Sequence, residues 1–176
     1  MAVLPIRIFG DPILRSRASE VTTFDEALRR LADDMIDTMR KASGAAIAGN
    51  QVGVLKRLFA WQLEDDEFGA WVNPEIVESS EETQEGDEGC LSFPGLFYPT
   101  VRPLRVRMRA QDVHGEAHEV DGEEMAARMF LHEIDHLNGI LFIDHLARHD
   151  RKEAMRRIRR GELEHPPASD DEPPVG

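Results

Sequence analysis

The sequence predicts an α+β fold in which mixed or antiparallel β-sheets pack around a central helix and a further helix follows at the C-terminus. Short runs of alternating or continuous apolar residues indicate strands, and longer runs with helical spacing indicate helices. The two kinds of segment do not alternate regularly, which argues against a parallel sheet. With 176 residues, 41% of them hydrophobic, the chain is long enough for one domain with its own core.

An extended arm is predicted over residues 1–18, followed by a helix over residues 24–41. Thr22 or Thr23 is the expected N-cap, because its hydroxyl can accept a hydrogen bond from the first turn of the helix. The helix prediction depends on five apolar residues that share one face at i, i+3 and i+4 spacing. These residues are Leu28, Leu31, Met35, Ile36 and Met39.

Four strands are predicted after this helix. The clearest alternation is in residues 104–110, where Leu104, Val106 and Met108 share one face and arginines the other. A turn is expected after this strand, at residues 113–115. The other strands are predicted over residues 57–63, 70–77 and 140–143.

Two more helices are predicted in the second half of the chain. Residues 122–138 form the central helix, which Gly139 ends because glycine readily adopts the left-handed conformation. Residues 148–161 form the C-terminal helix. We therefore expect one domain over residues 1–162 and an acidic, proline-rich tail over residues 163–176 with the composition of a disordered segment.

Charge and cysteine content restrict the class of protein. A net charge of −13 argues against general nucleic-acid binding, although residues 148–160 form a basic helix. No run approaches the ~20 apolar residues of a membrane span, and the N-terminus lacks the pattern of a secretory leader. The single cysteine, Cys90, excludes an intrachain disulfide and fits a reducing compartment, so we expect a cytoplasmic protein.

The strongest chemical signal is His132-Glu133-Ile134-Asp135-His136, within the central helix. Residues four apart lie one turn apart on the same face, so both imidazoles can bind one metal ion while Glu133 stands beside it. The alternative is an ordinary helix that carries two histidines by chance. Apolar residues on most sides of this helix favour the metal site, because buried histidines and acids without partners are costly.

A hydrolytic metal site of this kind needs a third protein ligand and one open position. Downstream of the motif the candidates are His145, His149 and His165. The third histidine of the metzincins is absent, because Phe142 stands at its position. Upstream, Cys90 is the other candidate, and a thiolate suits zinc or ferrous iron.

Two further segments contain small residues that allow a ligand to approach the backbone. Cys90 lies in Glu88-Gly89-Cys90-Leu91-Ser92. Residues 44–53 are rich in glycine and alanine and include Gln51, whose side-chain amide can donate to an oxyanion. Taken alone, this segment is more often a tight turn than a binding loop.

Together, the three segments resemble the peptide deformylase family, which carries a Gly-rich segment ending in Gln, then Glu-Gly-Cys-Leu-Ser, then His-Glu-x-x-Asp-His. They occur here in the same order and at comparable spacing, and the resemblance covers residues 8–158. The second and third motifs match fully. The first departs from G-x-G-L-A-A-x-Q at Ala46, Ile47 and Gly49, and the extra methyl of Ala46 could narrow the substrate groove.

The resemblance implies a hydrolase that removes the formyl group from N-formyl-methionyl nascent peptides and releases formate. It implies that Cys90, His132 and His136 bind one divalent metal, with Fe²⁺ favoured and Zn²⁺ possible, and that Glu133 is the general base. The side chain of Gln51 and the N–H of Leu91 are implied to hold the oxyanion. The residues implied to bind substrate are Ala46 and Gly89 through the backbone, and Met125 and Met129 in the methionine pocket, unless these two are ordinary core.

Several alternatives remain open at this point. The basic helix over residues 148–160 could dock on ribosomal RNA, as it does in some deformylases, or simply balance the acidic body. A monomer is expected. The rival functions are a zinc endopeptidase with the same helix motif, a deformylase-like binding module without catalysis, and a structural metal site closed by four protein ligands.

Overall fold

The computed structural model describes residues 2–163 and confirms the predicted α+β class, with sheets that are antiparallel. Apart from Leu163, the tail predicted over residues 163–176 lies outside the described residues, and so does His165. The described residues contain three α-helices: α1 (Glu26–Lys41), α2 (Met125–Leu137) and α3 (Arg148–Arg159). The strands in this part of the chain are β1 (Ala46–Ala48), β2 (Leu58–Glu64), β3 (Glu67–Ser79), β4 (Thr83–Cys90), β5 (Phe93–Pro103), β6 (Arg105–Gln111) and β7 (Ala117–Glu123).

Two antiparallel sheets surround the central helix. Five strands form one sheet in the order β1-β2-β3-β6-β7, and β4 pairs with β5 in a separate hairpin. Helix α1 packs on one face of the large sheet, whereas α2 packs on the other face and also contacts the hairpin. Within the described residues, β1 and β4 each pair with one neighbour only, so each presents a free strand edge.

The first helix forms as its apolar spacing predicts, with a different cap. Leu28, Met35 and Met39 are fully buried against the sheet. The prediction of a threonine cap is wrong, because the Asp25 carboxylate accepts a hydrogen bond from Leu28 N at 3.0 Å. An acidic cap is also favoured by the helix dipole.

The central helix is shorter than predicted at its N-terminus. Gly122 and Glu123 belong to β7, which continues its pairing with β6 through Glu123. A Cβ at Gly122 would lie 2.8 Å from the Phe130 ring, so glycine is required where the strand meets the helix. Glu124 makes the turn with φ 54° and ψ −115°, a conformation that favours glycine. The predicted end of the helix is confirmed, with Gly139 at φ 75°.

The predicted strand over residues 140–143 is wrong. Phe142–His145 form a 3-10 helix, in which Asp144 accepts a hydrogen bond from Leu141 N at 3.0 Å. The apolar run is buried in a third core cluster beneath β5 and α3 rather than paired in a sheet. Similarly, residues 12–15 of the predicted extended arm form one 3-10 turn.

No helix within residues 2–163 is long and apolar enough to cross a membrane.

Candidate metal centre and substrate groove

The two histidines of α2 lie side by side beneath the hairpin. Their Nε2 atoms are 3.1 Å apart, and both side chains are buried. This arrangement follows from their i, i+4 spacing, which places them one helical turn apart on one face. His132 and His136 can therefore offer two nitrogen ligands to a single ion.

Cys90 completes a group of three ligand atoms. A bulge in the β4–β5 pairing separates Gly89 from Cys90, and the Cys90 sulfur lies 3.3 Å from Nε2 of His136. The three ligand atoms all lie within 4.8 Å of one another. Around one tetrahedral ion with bonds of about 2.0–2.3 Å, such atoms stand roughly 3.3–3.6 Å apart. The cluster therefore fits one divalent metal, with a fourth position open.

The other described histidines do not join this cluster. His145 points to Asp135, at 2.8 Å, and His149 is largely exposed beside Asp150. Within residues 2–163 the structure brings together no fourth histidine or cysteine with the three ligands. This arrangement disfavours a closed structural site with four protein ligands.

Glu88 holds His132 in place and also binds two arginines. Its buried carboxylate accepts hydrogen bonds of 2.7–3.1 Å from Arg102, Arg128 and Nδ1 of His132. Burial alone would raise the pKa of Glu88, but the hydrogen bonds from His132 and Arg102 hold it well below its usual range. Because an ionised carboxylate only accepts, His132 donates through Nδ1, and in its neutral form this tautomer leaves the Nε2 lone pair for a metal.

Arg102 extends this network to a second carboxylate. Its guanidinium donates to Glu88 on one side and to Asp135, at 2.8 Å, on the other. Asp135 also lies 2.8 Å from His145, whose side chain is partly exposed. The network therefore runs from His132, a candidate metal ligand, to the protein surface.

Glu133 has the environment of a general base. It is 3% exposed, and its Oε2 atom has no hydrogen-bond partner within the described part of the chain. Burial raises the pKa of Glu133 to about 7, with the nearby carboxylates of Glu88 and Asp135 adding to the rise against the opposing effect of His132. A carboxylate with a pKa near neutrality accepts and returns protons efficiently.

The side-chain amide of Gln51 lies beside Cys90. Its Oε1 atom accepts a hydrogen bond from Ala48 N at 2.9 Å, which fixes the amide orientation. Its Nε2 atom lies 3.2 Å from Ser92 Oγ and 3.5 Å from the Cys90 sulfur. Leu91 lies in the turn between β4 and β5, so its N–H is outside the ladder of the hairpin. Both groups can donate to an atom that lies beside Cys90.

A groove of about 730 Å³ opens onto these residues between the free edges of β1 and β4. Met129 is buried in its wall, whereas Met125 is 68% exposed and lies at its rim. Its lining therefore includes every predicted substrate residue: Ala46, Gly89, Met125 and Met129.

The departures in the first motif have separate structural consequences. Ala46 lies in β1 opposite Trp61, and its side chain packs against the core beside α2 while also bordering the groove. Its φ is negative, so the extra methyl adds no backbone strain. Gly49 has no room for a methyl, because a Cβ there would lie 2.6 Å from the carbonyl oxygen of Lys56. The backbone of residues 54–56 therefore packs directly against this glycine.

Sequence reasoning missed the supporting residues of the site. In the sequence, Glu88 is one residue of a motif without a function of its own, and the local pattern predicts no role for Arg102, Arg128 or Asp135. Arg102 lies on β5, whose polar and proline-containing sequence predicts no strand. One signal was available, because Arg128 and Asp135 lie in a helix too apolar to hold unpaired charges.

Comparison with known proteins agrees with this geometry. The family model described as polypeptide deformylase matches residues 3–152. A peptide deformylase of Parafrankia sp. is 46% identical, covering 95% of this chain and 91% of that protein. A peptide deformylase of Acidothermus cellulolyticus is 49% identical, covering 92% and 89% respectively.

Solved structures show the same fold. A peptide deformylase from Legionella pneumophila superposes with a TM-score of 0.86 at 40% identity, covering 92% of this chain and 96% of that one. A peptide deformylase from Ehrlichia chaffeensis, solved in complex with actinonin, gives a TM-score of 0.85 at 35% identity, covering 92% and 99%.

Proposed function

Since the chain belongs to the polypeptide deformylase family, metal-dependent hydrolases that remove the N-formyl group from nascent peptides, we propose roles for four of its residues. Glu133 is the general base, and the metal ligands are Cys90, His132 and His136. The observation that carries this assignment is the buried Glu133, whose Oε2 atom has no hydrogen-bond partner among residues 2–163, in the same groove as three converging ligand atoms. A divalent metal bound there supplies a Lewis acid that lowers the pKa of water from 15.7 towards ~7.

The residues of the chain account for the remaining steps. Glu133 accepts a proton from the attacking water and later returns it to the departing amine nitrogen, so that formate and a free N-terminus are released. The Gln51 amide and the Leu91 N–H donate to the oxygen that becomes negative at the formyl carbon. Removing one such donor typically lowers the rate about 10²–10³-fold.

We propose that the peptide binds as an added strand between β1 and β4. Backbone groups near Ala46 and Gly89 lie on these two strands, which border the groove. An extended peptide satisfies a free strand edge through main-chain hydrogen bonds, and its alternate side chains enter pockets. The methionine side chain is then placed against Met129 and Met125.

The ligand set of one thiolate and two imidazoles suits both Fe²⁺ and Zn²⁺. We favour Fe²⁺ because of the resemblance to the family. The test is formate release from a formyl-Met tripeptide by protein prepared anaerobically with each metal in turn. Glu133→Ala, checked for retained metal, is the matched control for the base. Formate from the wild type and almost none from the control supports the assignment, whereas equal rates contradict it.

We propose that the protein acts as a monomer in the cytoplasm and contacts ribosomes through residues 148–160. Ala154 is buried against the third core cluster, whereas Arg148, Lys152 and Arg156 are exposed. Such a face can bind ribosomal RNA by releasing counterions. A Lys152→Glu/Arg156→Glu variant should pellet less with ribosomes at low salt than the wild type.

The matched control is Arg17→Glu/Lys56→Glu, which makes the same charge change at two other exposed sites. Equal loss of pelleting in both variants would remove the helix from the proposal. Light scattering on the eluting protein tests the oligomeric state, and a dimer mass would refute the monomer.

A further inference from the structure

The free edge of β4 presents two different faces to the groove. Strand β4 runs towards the metal ligand Cys90, and its residues alternate between an inner face against α2 and an outer face to solvent. Glu88 and Gly86 lie on the inner face, where Arg128 approaches both. Asp87 and Glu85 lie on the outer face and are exposed.

An aromatic ring continues this outer face at Gly89. Phe97 of β5 pairs with Gly89, and a Cβ at Gly89 would lie only 2.3 Å from the Phe97 ring. The ring is 64% exposed and borders the groove together with Asp87. Asp87 and Glu85 form no ion pair with any residue in the 2–163 range. An aromatic face and two unpaired carboxylates therefore line one side of the peptide path.

The direction of the substrate fixes which of its residues meet this face. The formyl group must lie at Cys90 and Glu133, so a peptide that pairs with β4 leaves the site antiparallel to that strand. Its methionine points inward, and alternate residues point to opposite faces. The second and fourth residues then point outward, within reach of Phe97, Asp87 and Glu85. The third residue points inward, towards Gly86 and Arg128.

We propose that Phe97, Asp87 and Glu85 make this enzyme select lysine or arginine at the second and fourth residues of the formylated peptide, but not at the third. The inference rests on the proposed function and names a substrate class for the same groove. A cation opposite a carboxylate on a neighbouring strand is stabilised, and an acid there is destabilised. A cation over an aromatic face adds a further attraction.

The expected effect is moderate because the groups are exposed. Exposed cross-strand charge pairs and exposed cation–π contacts each change binding by about two- to fivefold. We therefore expect lysine to exceed glutamate at the second residue by about tenfold in kcat/KM at low salt. Added salt should reduce the ratio, since exposed charges are screened.

The experiment measures formate release from formyl-Met tetrapeptides that carry Lys, Gln or Glu at residue two, three or four. The metal-loaded full chain is compared with Asp87→Asn, Glu85→Gln and Phe97→Leu. Each variant is judged by its own Lys/Glu ratio rather than by its absolute rate. Asp87→Asn should lower the ratio at residue two to about threefold or less, and Glu85→Gln should act mainly at residue four.

Glu116→Gln is the matched control, because it removes one exposed charge in the turn between β6 and β7. This variant should keep the wild-type ratios. Equal lysine preference at residues two, three and four overturns the inference, because the net charge of −13 would attract cations at every position. Ratios near one with normal formate release also overturn it and leave the proposed function standing. Absence of formate from every peptide refutes the proposed function instead.

Discussion

Replacing Glu88 by Gln should be among the most damaging single changes to this protein. The carboxylate is 4% exposed and accepts four hydrogen bonds, two from Arg102 and one each from Arg128 and His132. The amide of glutamine has the same shape but only one acceptor oxygen. Its NH₂ group would replace the second oxygen and would point at N–H donors of the neighbouring side chains. Within residues 2–163, Arg102 then keeps only Asp135 as an ion-pair partner, and Arg128 keeps none.

The magnitude follows from the cost of a buried charge without its partner. Removing one member of a buried ion pair typically costs about 3–5 kcal/mol, whereas an exposed pair contributes about 0–1 kcal/mol. Asp121→Asn breaks the exposed pair with Arg107 and is the matched control. Urea unfolding of the metal-free forms at neutral pH should therefore separate Glu88→Gln from Asp121→Asn by several kcal/mol.

Glu88 also orients His132, so metal affinity gives a second readout. Loss of the carboxylate that holds a ligand histidine typically lowers metal affinity 10–100-fold. Competition with a chelator for Zn²⁺ measures this change in folded protein. A Glu88→Gln variant with a stability within 1 kcal/mol of the wild type and unchanged Zn²⁺ affinity would refute the account of this network.

Further predictions test four individual positions. The pKa of Glu133 is raised from 4.5 to about 7, so the folded metal-free protein binds an extra proton between these pH values and its stability should fall as pH rises from 4.5 to 7. Glu133→Gln should reduce this fall in unfolding experiments. An unchanged dependence of stability on pH would contradict the raised pKa of Glu133. Glu124→Gly should raise the free energy of unfolding by about 1 kcal/mol, because it relieves a backbone conformation that favours glycine; thermal unfolding checks it, and a loss would contradict it. Gly49→Ala should lower the free energy of unfolding by about 1–3 kcal/mol because the Lys56 carbonyl must move; an unchanged stability would contradict the packing described here. Ala46→Gly should change kcat/KM less than about threefold, and a larger change would contradict it.

The sequence predicted those parts of the fold that short-range patterns determine. The face of α1 and the i, i+4 histidines follow from helical periodicity, and β6 follows from strict alternation. The hairpin of β4 and β5 escaped prediction because glycines and acidic residues dominate β4 and prolines interrupt β5. Gly86, Gly89 and the prolines of β5 weaken the strand signal, yet the groove requires a bare backbone at this edge.

The supporting network could not be predicted for a different reason. Glu88 and Arg102 come together only when β4 and β5 pair, and the packing of this hairpin on α2 brings them to Asp135. Charged residues on a strand are predicted to be exposed to solvent when the sequence does not show which residues they pair with. The local motifs therefore predicted the three candidate ligands that lie together, whereas the residues around them required the tertiary structure.

The charges of the buried cluster provide a physical reason for the ligand set. Arg102 and Arg128 compensate two of the three carboxylates, which are Glu88, Glu133 and Asp135, and a Cys90 thiolate would leave the cluster with two uncompensated negative charges. A divalent cation neutralises this excess, and buried charges without compensation are costly. The cation also favours the ionised form of Glu133, so its pKa in the loaded enzyme should be lower than in the metal-free protein. Adding Zn²⁺ to the metal-free protein near neutral pH should therefore release protons, part of them from Glu133, whose pKa is about 7 there. A pH indicator measures the release, and Glu133→Gln should reduce it.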